Sequence, residues 1–113
     1  MDNGLNHVTL IGTLERDPST RFTADHGLQQ VSFTLRLTEA GPAGQAFTLL
    51  VPCQCYAEVA EEAGELSAGH MVMVAGRLQR LAWTDPTGQK KTSLCVLARL
   101  VKVLAPAPVE VSA

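Results

Sequence analysis

Basic side chains are concentrated in the C-terminal half of this chain. Six of them lie between residues 77 and 102, where Asp85 is the one acidic residue. Trp83, the single tryptophan of the 113 residues, falls in the same stretch. Cationic groups neutralise phosphates and an indole ring stacks on a base, so this segment has the chemistry to bind a polynucleotide. The formal net charge of the whole chain is −2, and the sequence therefore permits such a partner without establishing it.

The other residues that carry chemistry form no recognisable site. Cys53 and Cys55 are one residue apart and Cys95 is distant in the chain, whereas a structural zinc site needs four ligands, usually in two pairs. We interpret the three thiols as reduced apolar side chains. The histidines are not arranged with a nucleophile and a carboxylate, and no Gly-rich phosphate loop occurs. The sequence predicts a protein that is not an enzyme and that holds neither a metal nor a cofactor.

The composition is that of one globular domain. Hydrophobic residues make up 46% of the chain and charged residues 18%, a balance that argues against disorder. No apolar run approaches the roughly 20 residues of a membrane-spanning helix, and the start of the chain lacks the pattern of a signal peptide. We therefore expect a soluble cytoplasmic protein without a membrane partner.

Five segments have the patterning of strands and one has that of a helix. The alternation is clearest where Val31, Phe33 and Leu35 share one face of a strand. The predicted strands are residues 6–14, 29–38, 46–55, 70–81 and 92–104. Apolar residues three or four apart predict a helix over residues 56–66. This order predicts an all-β protein, a five-stranded OB-fold barrel with one helix between strands 3 and 4; other small barrels and a split sandwich share the pattern.

Two residues predict irregularities in the sheet. Pro52 cannot donate a backbone hydrogen bond, so we expect a sheet edge, a bulge or a strand end there. Gly76 is typical of a bulge or a tight barrel bend. With no bulge between them, Arg77 and Trp83 have the same parity along the strand and Arg80 points to the other face. The Pro and Gly within residues 84–89 predict a hairpin turn, and residues 16–20 are interpreted as a turn as well.

Several motifs in the right order resemble the bacterial single-stranded DNA-binding protein family. Residues 6–22, NHVTLIGTLERDPSTRF, are similar to the family pattern N-x-V-x-L-[IV]-G-x-L followed by D-P-x-x-R-[YF]. Residues 57–60, AEVA, are similar to the start of its helix. Residues 72–90 are similar to V-x-V-x-G-x-L-x-x-x-x-W-x-D-x-x-G-x-[KR]. The resemblance extends over about residues 5 to 104, and several separate anchors are more specific than one short motif.

The resemblance implies a function and a domain organisation. Members of this family bind single-stranded DNA without reading its sequence, in replication, recombination and repair, and they usually assemble as homotetramers. The family is not catalytic and uses no metal. We expect residues 1–104 to form the OB-fold DNA-binding domain and residues 105–113 a flexible tail. The expected location is the cytoplasm, in association with the nucleoid.

The resemblance also indicates candidate contacts with the DNA strand. Trp83 and Phe47 occupy positions where the family has stacking tryptophans, and Arg21 and Lys91 match basic positions. Cys53 stands where the family usually has a stacking phenylalanine, so that platform is lost. The full set of candidates combines two aromatic and six basic residues: Trp83, Phe47, Arg21, Arg36, Arg77, Arg80, Lys90 and Lys91. The alternatives are a half-buried cap for Trp83, a core position for Phe47 and plain solubility for each cation.

Three further expectations concern partners. Ile11, Met71 and Met73 are apolar on the strand faces that a lone barrel exposes, which favours a homotetramer or a dimer. The acidic, phenylalanine-ending tip of the family is missing, so we expect no recruitment of repair enzymes by the tail. The rival interpretation is an OB-fold protein-interaction module of the replication and repair machinery whose affinity for DNA is weak or lost.

Overall fold

The computed structural model describes residues 4–106 and consists mainly of strands. The elements in chain order are β1 (Val8–Leu14), β2 (Ser19–Phe22), β3 (Gln29–Ala40), β4 (Ala46–Tyr56), α1 (Ala57–Ala63), β5 (Met71–Thr84) and β6 (Lys90–Ala105). Alternation along the strands creates the core: Val31, Phe33 and Leu35 of β3 are buried, as predicted, together with Val72 and Val74 of β5.

Five of the strands close into a barrel. Their order is β1, β5, β6, β4 and β3, and β3 pairs back onto β1 through Thr13↔Arg36 and Leu14↔Leu35. All neighbours are antiparallel except β4 and β6, which pair in parallel at Cys53↔Val96 and Gln54↔Leu97. This strand order, with the helix between the third and fourth barrel strands, is that of the OB-fold. The predicted fold class is therefore confirmed.

Strand β2 lies where the sequence indicated a turn. The turn over residues 16–20 ends early, because Ser19–Phe22 pair with residues 29–32 of β3. All four residues of β2 are exposed, so no apolar alternation marked it in the sequence. The strand adds to the edge of β3 beside the β1 pairing.

The helix is shorter than predicted. It covers seven residues, Ala57–Ala63, and Gly64 caps it through a hydrogen bond from its N–H to the Ala60 carbonyl oxygen (2.9 Å). Tyr56 belongs to β4 rather than to the helix. The helix buries Ala60 and Ala63 against the barrel. Within residues 4–106, no helix has the length and apolar character needed to cross a membrane.

The two irregularities foreseen in the sheet are both present. Residues 46–52 of β4 pair only with β3, so Pro52 lies on a sheet edge just before the pairing with β6. The register of β5 against β6 shifts between Ala75 and Gly76, which leaves Arg99 as the bulged residue of β6. A Cβ atom at Gly76 would overlap the Leu97 carbonyl oxygen, so the two strands can approach this closely only because the residue is glycine.

The predicted boundary between domain and tail falls at the end of β6. That strand continues to Ala105, one residue beyond the predicted domain. Residues 107–113 of the predicted tail lie outside the described residues.

Candidate nucleic-acid interface

The register of the strands brings polar side chains, among them the predicted contact Arg21, to one side of the barrel wall. Arg21 of β2, Gln30 of β3 and Tyr56 of β4 are direct cross-strand neighbours. The next row toward the hairpin continues from Ser32 through Gln54 to β6 and β5. A hydrogen bond from Gln79 Nε2 to Gln54 Oε1 (3.2 Å) links β5 to β4 on this same side. We call this exterior surface of β2, β3, β4, β6 and β5 the outer face.

The outer face contains a cleft of about 330 Å³, which we call the outer groove. Its base is formed by β3 and β4, with the loop after β1 on one side and the β5–β6 hairpin on the other. The lining residues are Arg16, Asp17, Ser19, Ser32, Phe33, Thr34, Pro52, Cys53, Gln54, Leu81 and Cys95. Asp17 fixes the loop after β1, because its Oδ1 accepts a hydrogen bond from the Ala68 N–H (2.8 Å). The groove therefore offers hydroxyl and amide groups over an apolar base.

Trp83 stands near the end of the β5–β6 hairpin, directly across from Lys91. Its side chain is 46% exposed, so the indole is reachable from solvent. Trp83 is one of the residues that line a second cleft of about 430 Å³. The cations Arg80, Lys90 and Lys91 line the same cleft, and Lys91 is the one on the strand face of Trp83. Trp83 and Lys91 can therefore place an aromatic face beside positive charge, which is what capture of an unpaired polynucleotide requires.

The turn that closes this hairpin is organised by Asp85. Its Oδ1 accepts hydrogen bonds from the Thr87 N–H (2.9 Å), the Thr87 hydroxyl (2.6 Å) and the Gln89 N–H (2.9 Å). These bonds, the Thr87 hydroxyl first, lower the pKa of Asp85 below its usual value. Gly88 takes a positive φ of 87° in the same turn. The hairpin end therefore has a defined shape despite its exposure.

The predicted contacts divide between the two sides of the sheet. The register is continuous from Gly76 to Thr84, so Arg77 shares the outer face with Trp83 and Arg80 points to the other side, as the parity argument predicted. The candidates on the outer face are Arg21, Arg36, Arg77, Trp83 and Lys91; those on the opposite side of the strands are Phe47, Arg80 and Lys90. Phe47 follows the inward register of β4 but lies beyond the barrel end, where 43% of its side chain is exposed.

Two of the cations on the outer face have acidic neighbours. Arg36 Nη1 is 3.7 Å from Glu15 Oε2, and Lys91 Nζ is 4.0 Å from Asp85 Oδ2. Arg21 has no ion pair with any acid in residues 4–106. Its Nε donates instead to Gln30 Oε1 (2.7 Å). Among Arg21, Arg36 and Lys91, Arg21 is therefore the one whose positive charge is least compensated.

Comparisons with known proteins identify the family of this chain. A model of the single-strand binding protein family matches residues 5–104. The chain belongs to this family. A protein of Deinococcus radiodurans named single-stranded DNA-binding protein is 32% identical over 108 residues, and one of Caldanaerobacter subterraneus with the same name is 33% identical over 105 residues. The match to the Deinococcus protein covers 93% of this chain and 36% of that relative. The match to the Caldanaerobacter protein covers 90% of this chain and 69% of that relative.

A third relative illustrates the difference in length. The single-stranded DNA-binding protein of Thermus thermophilus is 34% identical over 87 residues, which are 77% of this chain and 33% of the relative. This chain therefore spans about a third of the length of the Deinococcus and Thermus relatives. The family resemblance seen in the sequence is confirmed.

Cys53, for which the resemblance implies the position of a stacking phenylalanine, belongs to the core of this chain. Its side chain is 1% exposed, and burial raises the pKa of its thiol to about 12. The thiol of Cys55, also buried, has its pKa raised to about 11 by the same cause. Neither side chain can reach a base. Among residues 4–106, no group of three His, Cys, Asp or Glu side chains is placed to hold a metal ion.

Arg99 was not among the contacts predicted from the sequence. The bulge in β6 places it close to Arg77. Arg77 and Arg99 line a third cleft of about 230 Å³ together with Asn6 and His7. Gly76 indicated a bulge in this part of the sheet, and a bulge changes which residues face outward. Only the register of the two strands shows that the bulged residue is Arg99 of β6.

Proposed function

We propose that this protein binds single-stranded DNA along the outer groove without reading its sequence. The single observation that carries the proposal is the half-exposed indole of Trp83 beside Lys91, on the face that also holds Arg21, Arg36 and Arg77. The names of the relatives support the same ligand. The contribution of the protein is binding alone, with no catalytic step.

Two kinds of contact supply the affinity in this proposal. Trp83 stacks on one base, an interaction worth about 1–3 kcal/mol. The cations of the outer face contact phosphates, and these contacts weaken as salt rises. Arg80 and Lys90, on the opposite side of the strands from Trp83, act at the hairpin end, where they line the second cleft. Phe47 remains a candidate for a second stacked base, because it is exposed at the far end of β4.

The biological setting follows from the ligand and the family. We assign the protein to replication, recombination and repair, in the bacterial cytoplasm and at the nucleoid. A homo-oligomer, with the tetramer ahead of the dimer, is supported by apolar side chains on the exterior of β1, β5 and β6. We call this exterior surface the apolar sheet face, and it comprises Ile11, Met71, Met73 and Leu100.

Fluorescence of the single tryptophan tests the proposal directly. Titration with oligo-dT at low salt should quench Trp83, and added salt should restore the emission. Trp83→Ala, followed by anisotropy of a labelled oligo-dT, should bind roughly 5- to 150-fold more weakly, and Trp83→Phe should lie in between. Absence of both quenching and a gel shift at low salt would refute the proposal. Unchanged binding by Trp83→Ala would refute the role of the indole alone.

A second candidate function is a protein-interaction module with little affinity for DNA. The observation that favours it is the small number of exposed aromatic groups. Cys53, where the resemblance implies a stacking phenylalanine, is buried. Phe47 stands where the resemblance implies a tryptophan. In that case Leu94, which is 62% exposed on β6, belongs to a protein contact. The oligo-dT titration separates the two candidates, since a protein-interaction module leaves Trp83 emission unchanged.

A further inference from the structure

One polar side chain is buried in an otherwise apolar set. Among residues 4–106, Gln30 is the only buried residue that is polar or charged, and it is 4% exposed. An unpaired amide in that position would destabilise the folded state. Both ends of the amide are paired here, because Oε1 accepts from Arg21 Nε (2.7 Å) and Nε2 donates to the Tyr56 hydroxyl oxygen (3.1 Å).

These three side chains form one row across three strands. Arg21 is opposite Gln30 in the β2–β3 pairing, and Gln30 is opposite Tyr56 in the β3–β4 pairing. Cross-strand neighbours lie about 4.5–5.5 Å apart at their Cβ atoms. The short hydrogen bond to Arg21 is therefore set by the register and not by a chance approach of long side chains.

The consequence concerns the direction of the Arg21 guanidinium. Its Nε is occupied by Gln30, which leaves the two terminal nitrogens for a ligand, and they form no ion pair with an acid in residues 4–106. A guanidinium binds phosphate best through two parallel N–H groups. Arg36 differs, because Glu15 lies 3.7 Å from its guanidinium. Arg21 is thus the cation whose remaining donors are both oriented and free of an acidic partner.

The position of the row relative to the outer groove completes the argument. Ser32 and Gln54 line the groove, and each is two residues along its strand from Gln30 and Tyr56 respectively. Side chains two apart on a strand share one face. Arg21 therefore stands on the outer face just past the groove, at the end away from the β5–β6 hairpin.

We propose that Gln30 and Tyr56 are positioning residues that hold Arg21 as a preset site for one phosphate of the bound strand. This inference rests on the proposed function, since the phosphate belongs to the DNA in the outer groove. Gln30 orients Arg21 directly, and Tyr56 orients Gln30. Neither Gln30 nor Tyr56 touches the phosphate itself.

The decisive measurement is the salt dependence of oligo-dT binding by the full chain. Gln30→Leu keeps the side-chain volume and removes both hydrogen bonds. We expect its affinity to fall about fivefold and the slope of log K against log salt to decrease by about 0.7, the value for one phosphate contact on a single strand. The quenching of Trp83 at saturation should be unchanged. Gln29→Leu is the matched control, because the neighbouring side chain points to the opposite face.

A double-mutant cycle separates positioning from general stability. Arg21→Lys keeps the charge but cannot make the Nε bond, so it should lose the same salt slope as Gln30→Leu. Adding Gln30→Leu to Arg21→Lys should then weaken binding no further. If the two losses add, Gln30 acts independently of Arg21 and the inference is wrong.

Tyr56→Phe keeps the test decisive if Gln30→Leu fails to fold. It removes one hydroxyl, and we expect about twofold weaker binding with an unchanged thermal melt. Affinity and salt slope equal to those of the wild type would overturn the inference. If the wild-type protein and all three variants bind oligo-dT equally well, the positioning role alone is refuted. If the wild-type protein does not bind oligo-dT, the proposed function is refuted and this inference with it.

Discussion

At the scale of single residues, acids beside the outer face set how much positive charge is available. Glu15 lies 3.7 Å from Arg36, and its carboxylate competes with a phosphate for that guanidinium. The strength of an exposed pair of this kind is about 0.2–1 kcal/mol. In the proposed complex, the affinity for DNA would therefore depend on the acids beside the outer face as well as on its cations.

Replacing Glu15→Gln should release Arg36 for the DNA strand. We expect binding of oligo-dT to tighten roughly twofold to fivefold, with a steeper dependence on salt, because one more cation is free and one repelling charge is gone. Glu61→Gln on helix α1 makes the same change in net charge away from the groove and serves as the control. Equal effects of the two substitutions in an anisotropy titration would show that only net charge matters.

The buried thiols predict how stability depends on pH. The pKa of Cys53 is raised to about 12 and that of Cys55 to about 11, from an ordinary value of 9.0. Unfolding exposes these thiols and lets them ionise at lower pH. Their contribution to the free energy of unfolding is therefore complete below pH 9 and is lost as the pH rises from 9 toward 11–12.

Urea unfolding between pH 8 and pH 11 measures this effect. The wild-type protein should lose stability more steeply above pH 9 than the double variant Cys53→Ala, Cys55→Ala, whose baseline stability is lower because two side chains are truncated. The comparison of slopes removes the contribution of lysines and tyrosine, which both proteins share. Parallel curves would mean that the thiols are not shielded in the folded state.

At the scale of the elements, strands β5 and β6 approach each other closely at Gly76, where no side chain separates them. A Cβ atom there would overlap the Leu97 carbonyl oxygen. Gly76→Ala should therefore lower the free energy of unfolding by about 1–3 kcal/mol, as seen in a urea titration. Gly4→Ala, where a Cβ atom meets no atom within 4 Å, is the control and should leave stability unchanged. A neutral Gly76→Ala would show that β5 and β6 can separate at the bulge without cost.

The elements that could be predicted from the sequence are those with one apolar face. Val31, Phe33 and Leu35 marked β3 unambiguously, because period two fixes both the element and its buried side. Strand β2 was missed, since Ser19–Phe22 are all exposed and follow a proline. The hairpin of β5 and β6 is longer than predicted, to Thr84 and from Lys90, because these end residues pair with each other and not with the core.

The candidate site was predictable in its residue types and less so in its arrangement. Trp83 and the basic residues around it stood out by composition and by the family motif. Which side of the sheet each one occupies depended on the register beyond Gly76, where one inserted residue on β6 changes the parity of that strand. The row of Arg21, Gln30 and Tyr56 crosses three consecutive strands. Only the pairing register brings these side chains together, and no local pattern in the sequence reveals that register.

At the scale of the whole molecule, the proposed oligomer would form through the apolar sheet face. Ile11 is 54% exposed and pairs across β1 and β5 with Met73. A charge at Ile11 would be buried in any interface formed by this face. Ile11→Glu should therefore reduce the mass measured by light scattering from a multiple of the 12.0 kDa protomer toward a single protomer. Leu28→Glu, at a similarly exposed apolar residue in the loop after β2, should leave the mass unchanged; a wild-type protomer mass would contradict the proposed oligomer.

The barrel consists of two extensively paired halves, which we call leaves, joined by two short strand pairings, which we call seams. Strands β3 and β4 pair through eleven residues each and β5 and β6 through fourteen, whereas β4–β6 and β1–β3 join through two pairs each. Because these two pairings are the shortest of the barrel, we expect them to open before global unfolding in the unbound protein. The bridge between Gln54 and Gln79 spans the β4–β6 seam, as would a polynucleotide lying over it. The ligand would then fasten the leaves together, and part of its measured affinity would be the free energy of holding the barrel shut.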